Sequence, residues 1–138
     1  MFFKKKESDN QNNKLEKIVA LLIYAAKIDE SFTKKEEQII ELTLKKIGTD
    51  DEKIKKIIQD AKVLEENSNQ ILEFTKEVKN MSEKDKINII EALWKIIYSN
   101  KEADIYETNL MRRLAGLLYI DNKTMGDIKD KIKNENPS

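Results

Sequence analysis

Two short acidic segments hold the residues of this chain that are best suited to chemistry. In the first segment Asp29 precedes Glu36 by seven positions, and in the second Asn100 precedes Glu107 by the same seven. Carboxylate and amide oxygens are the ligands that hard divalent cations such as Ca²⁺, Mg²⁺ and Mn²⁺ prefer. A glutamate at the third position of a helix points back toward the preceding loop. We therefore predict a metal site in which Asp29 and Glu36 are the principal ligands and Asn100 and Glu107 contribute from the second segment.

A purely structural role for the same residues is the alternative interpretation. Thr33 and Glu36 have the spacing of a capping box, in which a threonine hydroxyl and a glutamate carboxylate each accept a hydrogen bond from an amide at the start of a helix. Asp104 and Glu107 repeat this spacing, with aspartate in place of threonine. In this interpretation both glutamates cap helices and Asp29 favours a turn. The sequence leaves both interpretations open.

The composition excludes most catalytic chemistry. The chain contains no cysteine and no histidine. It therefore has no thiolate nucleophile, no imidazole base or metal ligand, and no Ser-His pair. The carboxylates have no nucleophile beside them, and a di-iron site of the helix-bundle type would require histidine. We predict that the protein is not an enzyme, has no catalytic residues and takes no cofactor other than a divalent cation.

Charge and hydropathy indicate which partners to expect. The 26 basic and 26 acidic side chains balance to a net charge of zero, so no nucleic-acid partner is predicted. No apolar run reaches the roughly 18 residues of a membrane span, and the basic residues after Phe2 and Phe3 are not followed by an apolar core. We expect a cytoplasmic protein without stable membrane association.

Two adjacent arginines are the only ones in the chain, Arg112 and Arg113. A guanidinium group offers a planar fork of donors that suits carboxylates and other oxyanions. We expect one of them to pair with an acidic residue such as Glu102 or Glu107 and the other to meet solvent or an oxyanion.

The pattern of apolar residues predicts an all-α protein. Glycine and proline are rare, and the apolar spacing is helical over residues 13–134, which we interpret as a single domain after a flexible tail over residues 1–12. Seven helices are predicted, with starts near Leu15, Thr33, Thr49, Ile71, Ser82, Asp104 and Asp121. The first and fifth are apolar on nearly every face, so they should be central. Gly48 should end the second helix, and Trp94, Tyr98 and Tyr119 should lie in the core.

The first and last thirds of this domain follow the same pattern at an offset of 71 residues. The offset aligns Leu22 with Leu93, Asp29 with Asn100, Glu36 with Glu107, and Ile47 with Leu118. This internal repeat predicts a pseudo-twofold bundle in which the first and fifth helices pack against each other at the centre.

Three segments resemble the TerB-like (tellurite resistance TerB) family. Residues 25–36, Ala-Ala-Lys-Ile-Asp-Glu-Ser-Phe-Thr-Lys-Lys-Glu, resemble its first half-motif, and residues 93–101, Leu-Trp-Lys-Ile-Ile-Tyr-Ser-Asn-Lys, are similar to the second. Residues 112–119, Arg-Arg-Leu-Ala-Gly-Leu-Leu-Tyr, resemble a family version of that run. The resemblance spans residues 14–133. It implies a seven-helix bundle related to the N-terminal domain of the membrane-anchored DjlA co-chaperones.

The resemblance implies two functions. One is metal binding by the acidic loops, in a bacterial stress or tellurite-resistance context. The other is a protein-interaction module like the co-chaperone domain, which needs no metal and has a protein partner or a second copy as a homodimer. The family loops carry Asp-Gly, whereas this chain has Glu30 and Lys101 at the glycine positions and Asn100 at the second aspartate.

Overall fold

The protein is a bundle of helices joined by short connections. The computed structural model describes the backbone of residues 2–29, 32–68, 71–99 and 105–135, and the side chains of these residues except 2–12, 29 and 105–107. Over these ranges the α-helices are α1 (Phe2–Ala26), α2 (Lys34–Lys46), α3 (Asp51–Glu66), α4 (Leu72–Lys79), α5 (Glu83–Tyr98), α6 (Ile105–Leu117) and α7 (Asn122–Glu135). A short 3-10 helix, Lys27–Asp29, follows α1, and the same ranges contain no strand. The all-α prediction is confirmed.

Helix α1 starts earlier than its apolar pattern indicates. Its backbone is helical from Phe2, upstream of the predicted start near Leu15. The intervening residues lack an apolar stripe, but lysine, glutamate and glutamine among them are strong helix formers. The division into a flexible tail over residues 1–12 and a domain over residues 13–134 stays a prediction.

Helices α1 and α5 form the centre of the core, as predicted. All residues of Ile18–Ala26 except Tyr24 are buried, and so are all residues of Ile89–Tyr98 except Glu91 and Lys95. The two helices contact each other. Helix α1 also packs on α3 and α4, and α5 packs on α2 and α7. None of the helices in the described part of the chain combines the length and the apolar character needed to cross a bilayer.

The internal repeat is confirmed by the helix boundaries. Helix α6 starts and ends 71 residues after α2, and α7 starts 71 residues after α3. Packing follows the same rule, because α1 packs on α3 as α5 packs on α7. Helix α4 lies between the two halves and belongs to neither. The bundle is therefore pseudo-twofold, with the α1–α5 pair near its axis.

The end of α2 forms a complete Schellman motif. Gly48, with a φ of 92°, donates its amide to the carbonyl of Lys45 at 3.1 Å, and the Thr49 amide donates to the carbonyl of Leu44 at 2.9 Å. Because Thr49 completes this motif, Asp50 is the residue that precedes α3, and its side chain makes no capping hydrogen bond. The capping box predicted at Thr49 is therefore wrong.

The same motif ends α6 with a different residue. Tyr119, at the position equivalent to Gly48, has a φ of 57°, and the Ile120 amide donates to the Ala115 carbonyl at 2.9 Å. A left-handed backbone costs a residue with a β-carbon roughly 1–2 kcal/mol. Tyr119 is also 72% exposed, so its predicted place in the core is wrong. The left-handed turn takes its side chain off the buried face of α6.

Gly48 allows a test of this backbone requirement. A β-carbon added at Gly48 would meet no atom within 4 Å, and the same holds for Gly126 inside α7. Only Gly48 has a positive φ. Gly48→Ala should therefore lower the free energy of unfolding by about 1 kcal/mol, whereas Gly126→Ala should raise it by about 0.5–1 kcal/mol. Urea denaturation followed by circular dichroism measures both, and changes of the same sign would contradict the motif.

Candidate functional site

Glu36 is a buried carboxylate at the start of α2. Its side chain is 1% exposed. Its Oε1 accepts hydrogen bonds from the amide of Thr33 at 2.8 Å and from the hydroxyl of Thr33 at 2.9 Å. The Thr33 hydroxyl accepts in turn from the Glu36 amide at 3.2 Å, which confirms the predicted capping box. Both donors are neutral, and none of the ion pairs between described residues includes Glu36.

The other predicted metal ligands lie outside the described side chains. The backbone of Asp29 ends the 3-10 helix, and Glu107 is the third residue of α6, as Glu36 is the third residue of α2. The side chains of Asp29 and Glu107, and the whole of Asn100, are outside the described residues. Among the side chains that are described, no group of three or more acidic residues could hold a metal ion. The four-residue metal site stays a prediction.

Each half of the bundle has a cleft at the same place. The larger, about 550 Å³, lies between α1 and α6 and is lined by Tyr24, Ile28, Asn109, Leu110 and Arg113. The smaller, about 190 Å³, is lined by Lys35, Ile39, Lys95, Tyr98, Ser99, Ile132 and Glu135. Three pairs of lining residues are equivalent at the repeat offset of 71: Tyr24 with Lys95, Ile28 with Ser99, and Ile39 with Leu110. The two clefts are therefore products of the pseudo-twofold fold.

A second cavity adjoins the larger cleft. Its volume is about 300 Å³, and it shares Tyr24 and Arg113 with that cleft. Its other lining residues come from the end of α3 and the start of α4: Glu65, Ser68, Ile71, Leu72 and Phe74. We call these two adjoining cavities the Arg113 cleft.

The charges at the Arg113 cleft are positive on balance among the described residues. Glu65 is compensated by Lys27, whose Nζ lies 2.7 Å from its Oε1. Arg113 is exposed and pairs with no carboxylate whose side chain is described. Its neighbour Arg112 is also exposed but lines neither cavity. The predicted ion pairs with Glu102 and Glu107 lie outside the described side chains.

Comparison with known protein families identifies the domain. The family model described as Tellurite resistance protein TerB matches residues 15–130. The chain belongs to the TerB family. The match runs from α1 into α7, so both halves of the repeat and the intervening α4 are parts of the TerB domain. No curated protein and no solved structure matches the chain.

Two shifted pKa values place the ionisable groups of the TerB domain relative to its clefts. Burial, and then the nearby charge of Asp60, raise the pKa of Glu16, which Lys56 partly opposes. Glu16 lines none of the clefts described above. Burial, and then the charge of Lys46, lower the pKa of Lys95, which lines the smaller cleft. The carboxyl group with the raised pKa is therefore not placed to act on a ligand in these clefts.

The aromatic side chains of α5 pack inside the TerB domain, as predicted. The indole N–H of Trp94 donates to the Sδ of Met125 at 3.3 Å, and the Trp94 ring stacks on Tyr98 with centroids 5.9 Å apart. These contacts join α5 to α7. Tyr24 was not among the expected site residues. Its only sequence signal is a polar hydroxyl within an otherwise apolar stretch of α1.

Proposed function

We propose that this TerB domain is a non-enzymatic binding domain that takes a divalent cation between the loops preceding α2 and α6. The observation that carries the proposal is the burial of Glu36, whose described hydrogen-bond donors are the neutral amide and hydroxyl of Thr33. A buried carboxylate is costly unless a cation or several donors compensate its charge. A bound Ca²⁺, Mg²⁺ or Mn²⁺ would supply that compensation.

The repeat supports a ligand set drawn from both halves. Because α2 and α6 begin at equivalent positions, Glu107 has the same place in α6 that Glu36 has in α2. Asp29 and Asn100 precede these glutamates by seven residues in each half. A set made only of carboxylate and amide oxygens suits a hard cation. The family description, tellurite resistance, suggests a stress-related role in a bacterial cytoplasm.

The absence of enzyme activity is part of the proposal. The chain has no histidine or cysteine. The raised pKa of Glu16 lies away from the described clefts. A general acid or base would have to combine a shifted pKa with a place in such a cleft.

Ion titration of matched variants tests the cation site. Adding Ca²⁺, Mg²⁺ or Mn²⁺ to the full chain should shift amide NMR signals within residues 27–37 and 99–108. Glu36→Gln should abolish these shifts, since it removes the charge but keeps a side-chain oxygen that can accept from Thr33. Glu37→Gln is the control, because it removes a neighbouring charge that is half-buried against Lys62 at 3.6 Å.

The same variants provide a stability measurement. An ion that binds only the folded state raises the unfolding temperature of the native chain and of Glu37→Gln, but not that of Glu36→Gln. The proposal fails if millimolar ion produces no localised shifts in the native chain. It also fails if Glu36→Gln and Glu37→Gln respond to the ion alike.

A protein-interaction role without metal is the second candidate. It is favoured by Tyr119, a 72% exposed aromatic residue in a left-handed conformation, with the Nζ of Lys79 4.4 Å from its ring centroid. Exposed tyrosines are enriched at protein interfaces, and backbone strain is often kept at functional sites. Sedimentation over a range of concentrations tests a homodimer. The mass should rise to that of two chains and should fall back in Tyr119→Gly, while a monomer at all concentrations would contradict it.

A further inference from the structure

We propose that the Arg113 cleft binds a carboxylate attached to an apolar group. This inference does not rest on the proposed cation site, because it uses a different cavity and a ligand of opposite charge. Its two adjoining cavities, of about 550 and 300 Å³, fall in the size range of small-ligand sites.

The polar groups of the Arg113 cleft suit an anion. The Arg113 guanidinium presents a planar fork that can bind both oxygens of a carboxylate, and the hydroxyl of Tyr24 lies on the same shared wall. Helix α4 begins at this wall. Its N-cap, Ile71, has no side-chain acceptor, so the amides of the first turn add positive potential. The one acidic residue of the lining, Glu65, is held by Lys27 at 2.7 Å.

The remaining lining of the Arg113 cleft is apolar. Ile28 and Leu110 line the larger cavity, and Leu72 and Phe74 line the smaller one. Leu72 is 49% exposed, which is unusual for leucine in this fold and leaves apolar surface at the rim. Covering this surface with an apolar side chain or hydrocarbon chain would remove it from water.

The equivalent cleft shows that the fold does not require an arginine here. The position of Arg113 is occupied in the other half by Leu42, which is also exposed. That cleft is also smaller, about 190 Å³, and Ile132 and Glu135 of α7 line it. Arg113 is exposed and so does not contribute by core packing. Its position between two cavities therefore favours a role in binding.

Carboxylate probes with an uncharged control test this site. N-acetyl-leucine represents the end of a peptide chain, octanoate represents a free acid, and N-acetyl-leucine amide lacks the charge. With EDTA present to remove divalent cations, either carboxylate should shift the amide NMR signals of Ile28, Leu72 and Leu110, and the amide compound should not. Binding of octanoate alone assigns a free acid as the ligand, and binding of N-acetyl-leucine alone assigns a peptide end.

The adjacent arginines give a matched pair of variants. Arg113→Gln should weaken binding of the carboxylate probes by about tenfold or more, since a charge-assisted hydrogen bond is lost. Arg112→Gln removes the same charge from an exposed neighbour that lines neither cavity, and it should weaken binding less than about twofold. Equal losses in the two variants, equal binding of the amide compound, or no shifts at millimolar probe would each overturn the proposal. Amide spectra without probe confirm that both variants are folded.

Discussion

Replacing Leu22 or Leu93 by alanine is expected to lower the free energy of unfolding by about 3–5 kcal/mol in each case. Both side chains are 0% exposed, and they lie on α1 and α5, the two helices that contact each other at the centre of the bundle. Truncating a leucine at such a position removes its burial from water and leaves a cavity that packed neighbours fill only in part. The two positions are equivalent in the repeat, so their costs should be similar.

Leu42→Ala is the matched control for this pair. It is the same chemical change on a helix, but Leu42 is 58% exposed, so the effect should stay within about 0.5 kcal/mol. Urea denaturation monitored by circular dichroism gives the free energy of unfolding for all three variants. If Leu22→Ala or Leu93→Ala were as mild as Leu42→Ala, that helix would not be central, and the pseudo-twofold packing would be contradicted.

Lys86→Ala is expected to lower the free energy of unfolding by about 2–4 kcal/mol, an unusually large effect for a lysine. Lys86 is 7% exposed, and its Nζ donates to the carbonyl of Leu118 at 3.3 Å, with the carboxylate of Glu83 at 3.9 Å. The variant loses the buried methylene stem, and it leaves the carbonyl at the end of α6 without this donor. It also removes a positive charge from the C-terminal end of a helix, where such charges are stabilising.

Two further variants separate the contributions of Lys86. Lys86→Met keeps most of the apolar stem and removes the ammonium group, so it should cost less than Lys86→Ala. Lys84→Ala removes an exposed lysine from the same helix and should stay within about 0.5 kcal/mol. Thermal and urea unfolding of the three variants measure the effects. If Lys86→Ala matched Lys84→Ala, the lysine would be solvated and its contact with Leu118 would not contribute to stability.

The features predicted correctly from the sequence depend on neighbours along the chain. The capping box of Thr33 and Glu36 joins residues three apart, and the Schellman motif at Gly48 closes within one helical turn. Helix starts at such signals are therefore readable without knowledge of the fold. The repeat offset of 71 was readable for the same reason, since each half carries its own local signals.

The errors also have local causes. Thr49 was expected to begin α3, but its amide completes the end of α2, and two motifs competed for one residue. Tyr119 was expected in the core because aromatic residues usually are, whereas its position in the repeat, equivalent to Gly48, makes it a left-handed turn residue. Aligning the glycine as well as the apolar residues would have indicated its exposure.

The acidic segments, the missing histidine and cysteine, the helical periodicity and the repeat are properties of the sequence by itself. They determined an all-α TerB domain and limited any metal site to oxygen ligands. The tertiary structure decided which side chains meet across the fold: Lys86 with the end of α6, and Arg113 with Tyr24 in one cleft. Such pairs lie on different helices, and their contact depends on the packing of α1, α4, α5 and α6 rather than on spacing along any one helix.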